Sequence, residues 1–188
     1  LESGTVTVSR AARSSEFPAR FQLVAAMNPC PCGWAGDPSG RCRCSPEHIR
    51  RYRARISGPL MDRIDLHIEV PRLPPQDLRP DAPNGEATFL IRARVEQART
   101  VQLQRTGKAN AQLGQAETMA FCRLQDRDQA LLERAIERLQ LSARSMHRIL
   151  RVARTIADLA GAEDIATPHL TEALGYRRMD RGQGQQAA

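Results

Sequence analysis

Four cysteines fall within fifteen residues as two Cys-x-Cys pairs, Cys30/Cys32 and Cys42/Cys44. Sulfur ligands grouped in this way suit one tetrahedral zinc, provided the intervening chain can fold back on itself. Gly33, Gly36, Asp37, Pro38 and Gly40 give it that freedom. Four thiolates would close the coordination sphere, so the metal would be structural and not catalytic. The one-residue gaps are tighter than the usual two, and reduced thiols without metal or a disulfide also fit the sequence. A fifth cysteine, Cys122, sits in an apolar helical context and reads as core.

Directly before the first pair, Asn28-Pro29 ends an apolar run from Phe21 to Met27 that is broken only by Gln22. A short run bounded by turn residues fits a buried strand of a parallel sheet, although a buried helical segment has the same pattern. As a strand it would set Asn28 at the carboxyl edge, where open α/β sheets bind ligands. Two arginines stand out by context. Arg63 lies in PLMDRIDLHIEV, between a proline-stopped helix and a strand, and Arg144 begins an amphipathic helix beside its positive end. Without that context, an asparagine before proline is a turn former and a surface arginine is solvated.

Composition narrows the partners. The 188 residues are 4% aromatic, so the core must be built from Leu, Ile, Val and Ala. The net charge of +7 comes almost wholly from arginine, since Lys108 is the single lysine. Arginine excess favours phosphate and nucleic-acid partners, because the guanidinium fork binds phosphate oxygens in pairs. A genome rich in G and C would produce the same bias without any such partner. No apolar run approaches the roughly 18 residues that span a bilayer, and Leu1 to Arg20 has no signal-peptide centre, so a cytoplasmic chain with no membrane partner is expected. In that compartment clustered cysteines read as metal ligands before disulfides. The chain begins at Leu1 and not at a methionine, which suggests a fragment.

These residues need elements to position them. Thr5 to Arg10 alternates β-branched and polar residues as a strand does, and Phe17 to Met27 returns as a second extended segment. The hairpin so formed would display Arg10 and Arg13 near its tip, as a solvated turn or as a functional loop. Ser45-Pro46-Glu47 opens a helix that should run to about Ile56, where Gly58-Pro59 stops it. Leu60 to Ile64 is a short turn or helix, and Asp65 to Val70 alternates as a strand. Five prolines between Pro71 and Asn84 make a semi-rigid linker. Helical periodicity then marks Ala87 to Arg105, Thr118 to Leu124, Asp126 to Leu139, Ser142-capped residues to about Leu159, and Pro168 to Leu174 with Thr167 as cap. The expected fold is an α/β part over 1–70, a linker over 71–86, an all-α domain over 87–176 and a disordered tail over 177–188.

Three stretches carry a family resemblance: AAMNPCPCG, CRCSPEHIRRYRARISGPLMDRIDLHIEVP and LSARSMHRILRVARTIADLAG. They resemble the C-terminal part of the ComM/YifB group of magnesium-chelatase-like AAA+ ATPases, over nearly the whole chain. The resemblance implies a partial AAA+ core with a β-hairpin insert and a Cys-rich loop, then a helical lid. It also implies a hexameric ring in the parent, ATP and Mg as its cofactors, and DNA as its partner, the ComM branch being a branch-migration helicase of natural transformation. Position by position, Asn28 resembles the sensor-one asparagine that reads the γ-phosphate, and Arg63 the arginine finger that reaches a neighbour's nucleotide. Arg144 resembles the lid's sensor-two arginine, with Arg148 and Arg151 as alternatives. The hairpin resembles the pore-facing insert, which makes Arg10 and Arg13 candidate DNA contacts. Cys30, Cys32, Cys42 and Cys44 belong to the pattern of this group.

One departure limits what this stretch can do. No G-x-x-x-x-G-K-[ST] occurs, and no apolar strand ends in paired acids. The family carries both upstream of the matching region, so the chain by itself is expected not to hydrolyse ATP. Two other readings stand beside the motor: a zinc-stabilised, arginine-rich nucleic-acid-binding module, and a magnesium-chelatase subunit of tetrapyrrole synthesis. The cysteine cluster argues against the last.

Overall fold

Alternating threonine and valine in Thr5–Arg10 produce strand β1, and Arg13–Pro18 forms β2. A computed structural model of the chain describes residues 4–10 and 13–177. The two strands pair antiparallel from Thr5 with Pro18 to Arg10 with Arg13, so the hairpin exists and both arginines sit at its closed end. The second strand begins at Arg13, four residues before the expected Phe17. Ser14 to Glu16 continue the ladder, with the Ser9 and Ser14 hydroxyls 3.1 Å apart across it.

Two expected strands are corrected. Phe21 to Met27 and Asp65 to Val70 form no strand, and the β1–β2 hairpin is the only sheet among the described residues. A strand exists through its neighbour's N–H and C=O groups; among the described residues no strand pairs with either segment, and the His67 N–H goes instead to the Tyr176 carbonyl after α7 at 2.9 Å. Their apolar side chains are correspondingly open, with Val24 84% and Val70 86% exposed. The α/β part of the expected architecture is therefore one small sheet with two short helices.

Those helices start as their sequences dictate. In α1, Pro46–Arg53, the Ser45 hydroxyl accepts the His48 N–H at 3.2 Å, and Pro46 fills a first-turn position that needs no donor. The helix ends at Arg53, three residues short of the expected Ile56. Gly58-Pro59, expected as a stop, begins α2, Gly58–Met61, under a Ser57 cap. The proline-rich stretch from Pro71 to Asn84 has no α-helix or strand, only a 3-10 turn at Pro75–Leu78.

The C-terminal part is helical, as expected. It contains α3 (Thr88–Thr106), α4 (Gln115–Phe121), α5 (Asp126–Leu139), α6 (Ala143–Leu159) and α7 (Thr167–Gly175). The α4 helix starts three residues earlier than Thr118, and α7 begins at Thr167 itself, with Ala166 as its cap. Helix α6 is the hub. Its Ile149, Leu150, Ala153 and Ala157 meet Leu113, Cys122, Leu132, Ile165, Leu170 and Ala173 in one core. Cys122 is core, as read, and burial pushes its thiol up to about 11. Of the expected tail, Arg177 is buried, and 178–188 lie outside the described residues. The chain divides into two compact units, Leu1–Ile64 and Asp65–Ala188.

A buried charge cluster ties the second unit together. The Asp158 side chain has no exposed area and accepts from Arg154 Nε at 3.1 Å, Asn110 Nδ2 at 2.7 Å and both Arg105 terminal nitrogens. Arg154 also donates to the Glu163 carbonyl at 2.7 Å and the Ala162 carbonyl at 2.6 Å, closing the turn after α6. Asn110 is held in turn by Thr155 and by Gln102, whose side-chain oxygen accepts its N–H at 3.1 Å. Removing one partner of such a cluster strands the others as buried charges. Asp158→Ala is therefore expected to cost about 3–5 kcal/mol in denaturant unfolding followed by helical circular dichroism. A loss under about 1 kcal/mol would mean that the cluster is not the framework of the helical unit.

Candidate functional site

The first unit converges on the Cys-rich loop. After Pro29 the chain turns tightly, with the Gly33 N–H on the Cys30 carbonyl at 3.0 Å and the Asp37 N–H on the Trp34 carbonyl at 3.2 Å. Gly33 at φ 80° and Gly36 at φ 83° occupy the left-handed region that side chains resist, and so allow the fold-back. The turns bring the pairs together. Cys30 and Cys32 sulfurs lie 3.3 Å apart, Cys30 and Cys42 3.8 Å, and Cys32 and Cys42 3.7 Å. With Cys44, all four sulfurs lie within 4.8 Å of one another. None is bonded to another, so the disulfide reading is set aside.

A tetrahedron with metal–sulfur bonds of about 2.3 Å has sulfur–sulfur edges of about 3.8 Å. Two of the spacings fall on that edge, the Cys30–Cys32 one is shorter, and all four sulfurs are close enough to form a group able to hold a metal ion. The electrostatics agree. The Trp34 and Arg43 N–H groups donate to Cys32 and hold its thiol down to about 6. The Cys32 N–H also favours a Cys44 thiolate, but hydrogen bonding to the Cys32 sulfur, desolvation, and the hydrogen bond and charge of Cys30 outweigh it and push Cys44 up to about 11. Four anions this close do not coexist without a cation between them, and a dication would let all four ionise. Cys30 is fully buried and receives the Ala35 N–H at 3.3 Å, a second support for the ligand geometry.

Of the other sequence-selected residues, Asn28 lies beside this loop, Arg10, Arg13 and Arg63 lie elsewhere in the first unit, and Arg144 lies in the second. Asn28 is exposed beside the loop, its amide carbon 3.9 Å from where a Cβ on Gly33 would stand. The carbonyl of the next residue, Pro29, accepts from Arg53 Nε at 3.1 Å, which ties the loop entrance to α1. Arg63 is half-buried and folds back on α2, donating to the Pro59 carbonyl at 2.8 Å. Arg10 and Arg13 are exposed. In the second unit Arg144 is exposed in the first turn of α6. The alternatives are engaged in packing: Arg148 donates to Asp65 at 2.6 Å, and Arg151 to the Leu113 carbonyl at 2.9 Å.

Sequence reasoning missed one feature of the loop. The Arg41 guanidinium lies 5.0 Å from the centroid of the Trp34 ring. The only tryptophan of the chain, inside a cysteine loop and near arginines, was the available signal.

If a metal holds the loop, a strong chelator is expected to raise amide hydrogen exchange across 30–44 and leave α6 unchanged. Equal exchange with and without chelator would contradict a metal-held loop.

Comparison with known proteins places both units. Residues 1–78 match the family model described as magnesium chelatase, subunit ChlI, and residues 85–177 match the one described as magnesium chelatase, subunit ChlI C-terminal. Competence protein ComM of Haemophilus influenzae is 50% identical over 182 residues, which cover 96% of this chain and 35% of that protein. Protein YifB of Escherichia coli is 44% identical over 96% of the chain and 35% of its own length. An uncharacterised Mycobacterium tuberculosis protein is 37% identical over 95% of the chain and 35% of its own length. The chain thus spans about a third of the curated relatives it matches. No helix among the described residues is long and apolar enough to cross a membrane. Matched in both of its parts, the chain belongs to the magnesium chelatase subunit ChlI-like family, with ComM and YifB among its relatives.

Proposed function

We propose that the chain is the C-terminal part of a ring-forming AAA+ ATPase that acts on DNA, as a ComM-like branch-migration helicase. The observation that carries the reading is the match at 50% identity to a protein named for competence, running through both units. In this account Asn28 reads the γ-phosphate, Arg63 is the finger offered to a neighbouring subunit, and Arg144 is the lid sensor. The exposure of Arg144, against the burial of Arg148 and the half-burial of Arg151, supports that choice within α6. The open apolar side chains of Phe21, Leu23 and Val24 support a segment that gains partner strands in the parent. Arg10 and Arg13 are the DNA contacts on the hairpin.

ATP and Mg enter through residues upstream of the matching region, so the chain's own task is to sense and to neutralise charge. Arg63 would stabilise the negative charge that builds on the transferred phosphoryl group, an effect of about 10³ to 10⁵ in rate. To do so it must leave the Pro59 carbonyl, a single neutral acceptor that competes weakly with a phosphate for the guanidinium. Arg63→Ala in the full-length parent is therefore expected to abolish turnover while nucleotide affinity, measured by equilibrium binding, stays intact. An ATPase rate near wild type in assembled rings would remove Arg63 from the role.

The metal is zinc, held by Cys30, Cys32, Cys42 and Cys44 as a scaffold beside Asn28. Mass spectrometry of protein purified without chelator is expected to find about one equivalent, and less than about one-tenth would reject the site. A zinc-stabilised nucleic-acid module with no motor role is the second reading. It is favoured by the ten arginines against five carboxylates of residues 1–64. An in-frame phosphate-binding loop upstream of Leu1 separates the two.

A further inference from the structure

Beside the metal group, and bordered by its Cys32, the Cys-rich loop has a face that the nucleotide account does not use. A concavity of about 580 Å³ opens there, lined by Cys32, Trp34, Ser39, Gly40, Arg41 and Arg43. Arg41 and Arg43 are exposed, and Arg41 is packed on the indole of Trp34. Asp37 is the loop's one carboxylate, and it is occupied by the Ser39 N–H at 2.8 Å.

We propose that this concavity is a binding site for single-stranded DNA, in which Trp34 stacks an unpaired base while Arg41 and Arg43 take the flanking phosphates. An indole and two guanidiniums in one depression supply the two contacts that single strands require: a π surface for bases and fork donors for the backbone. A duplex keeps its bases stacked on one another and offers none to the indole, which selects the single strand. The metal loop also explains why the pair is ready before the ligand arrives. The Trp34 and Arg43 backbone N–H groups both donate to the Cys32 sulfur, so the backbone that carries these two side chains is already held. Cys-rich loop and strand contact thereby become one device. The identity of the strand as DNA rests on the reading that the parent acts on DNA; the geometry of the site does not.

Trp34 is the only tryptophan in the chain, so its fluorescence reports this site alone. The 188-residue chain, purified without chelator, is titrated with an oligothymidine, and binding is followed by tryptophan quenching and by anisotropy of a labelled strand. Quenching that saturates together with anisotropy is the expected result. Trp34→Ala should weaken binding by about tenfold or more, and Trp34→Phe, which keeps a stacking ring, should retain most of the affinity. Arg41→Ala with Arg43→Ala should flatten the salt dependence by about 1.4 in log–log slope. Metal content equal to wild type in each variant shows that the loop is intact.

Binding without quenching, or with Trp34→Ala at wild-type affinity, overturns the site. If Arg10→Ala with Arg13→Ala then abolishes that binding, the DNA reading survives and only this site falls. Tighter binding to a duplex or to an oligouridine of equal length overturns the assignment to single-stranded DNA. No binding at all overturns the site as well, and whether the parent acts on DNA is then read from stimulation of its ATPase by DNA.

Discussion

Asp158 is a carboxylate with no access to water, and the helical unit is arranged so that it never lacks a counter-charge. Arg154 reaches it from one turn earlier on α6, Arg105 from the end of α3, and Asn110 from the turn that follows. An unpaired charge in that position costs several kcal/mol, so each contributing segment is held by the need of the others. The same cluster closes the turn after α6 through Arg154, which sets where the chain re-enters toward α7. Of the three candidate arginines on α6, Arg144 in the first turn is exposed, Arg151 is half-buried and Arg148 is buried.

The first unit obeys a different constraint. Among its described residues only Cys30 is a buried apolar side chain, while Phe17, Phe21 and Val24 are more than half exposed. Hydrophobic burial therefore supplies little of its order. The β1–β2 ladder orders the hairpin, and around the Cys-rich loop the convergence of four sulfurs, the backbone bonds of the loop and the Arg53 bond to Pro29 supply the order. When ligands come together around a cation, binding free energy becomes folding free energy. Metal, loop geometry and the position of Asn28 are then one problem.

What the sequence made legible follows from how local each signal is. The limits of α5 are read from Asp126 to Leu139 because its apolar stripe, acidic start and basic end all lie within the helix itself. Ser142 announces α6 for the same reason, accepting the Ser145 N–H at 3.2 Å. The cysteine group was legible because four ligands and three glycines sit in one short stretch. Phe21 to Met27 was misread because a strand is defined by a partner, and no local pattern says whether the partner is present. Asp158 shows the same limit. Its i,i+4 arginine could be read off the sequence, but Arg105 lies 53 residues away and only the fold brings it in.

At the centre of the proposal, Arg63 reaches a nucleotide held by the phosphate-binding loop of a neighbouring copy of the parent. Subunit mixing tests it most directly. One full-length parent carries Arg63→Ala, a second carries a disabled phosphate-binding loop, and each is inactive as a uniform assembly. If Arg63 acts across the subunit boundary, mixing restores a finger facing an intact loop in a fraction of interfaces, and ATP turnover recovers in proportion. Mixed assemblies, verified by mass, that stay as inactive as either parent would contradict the account.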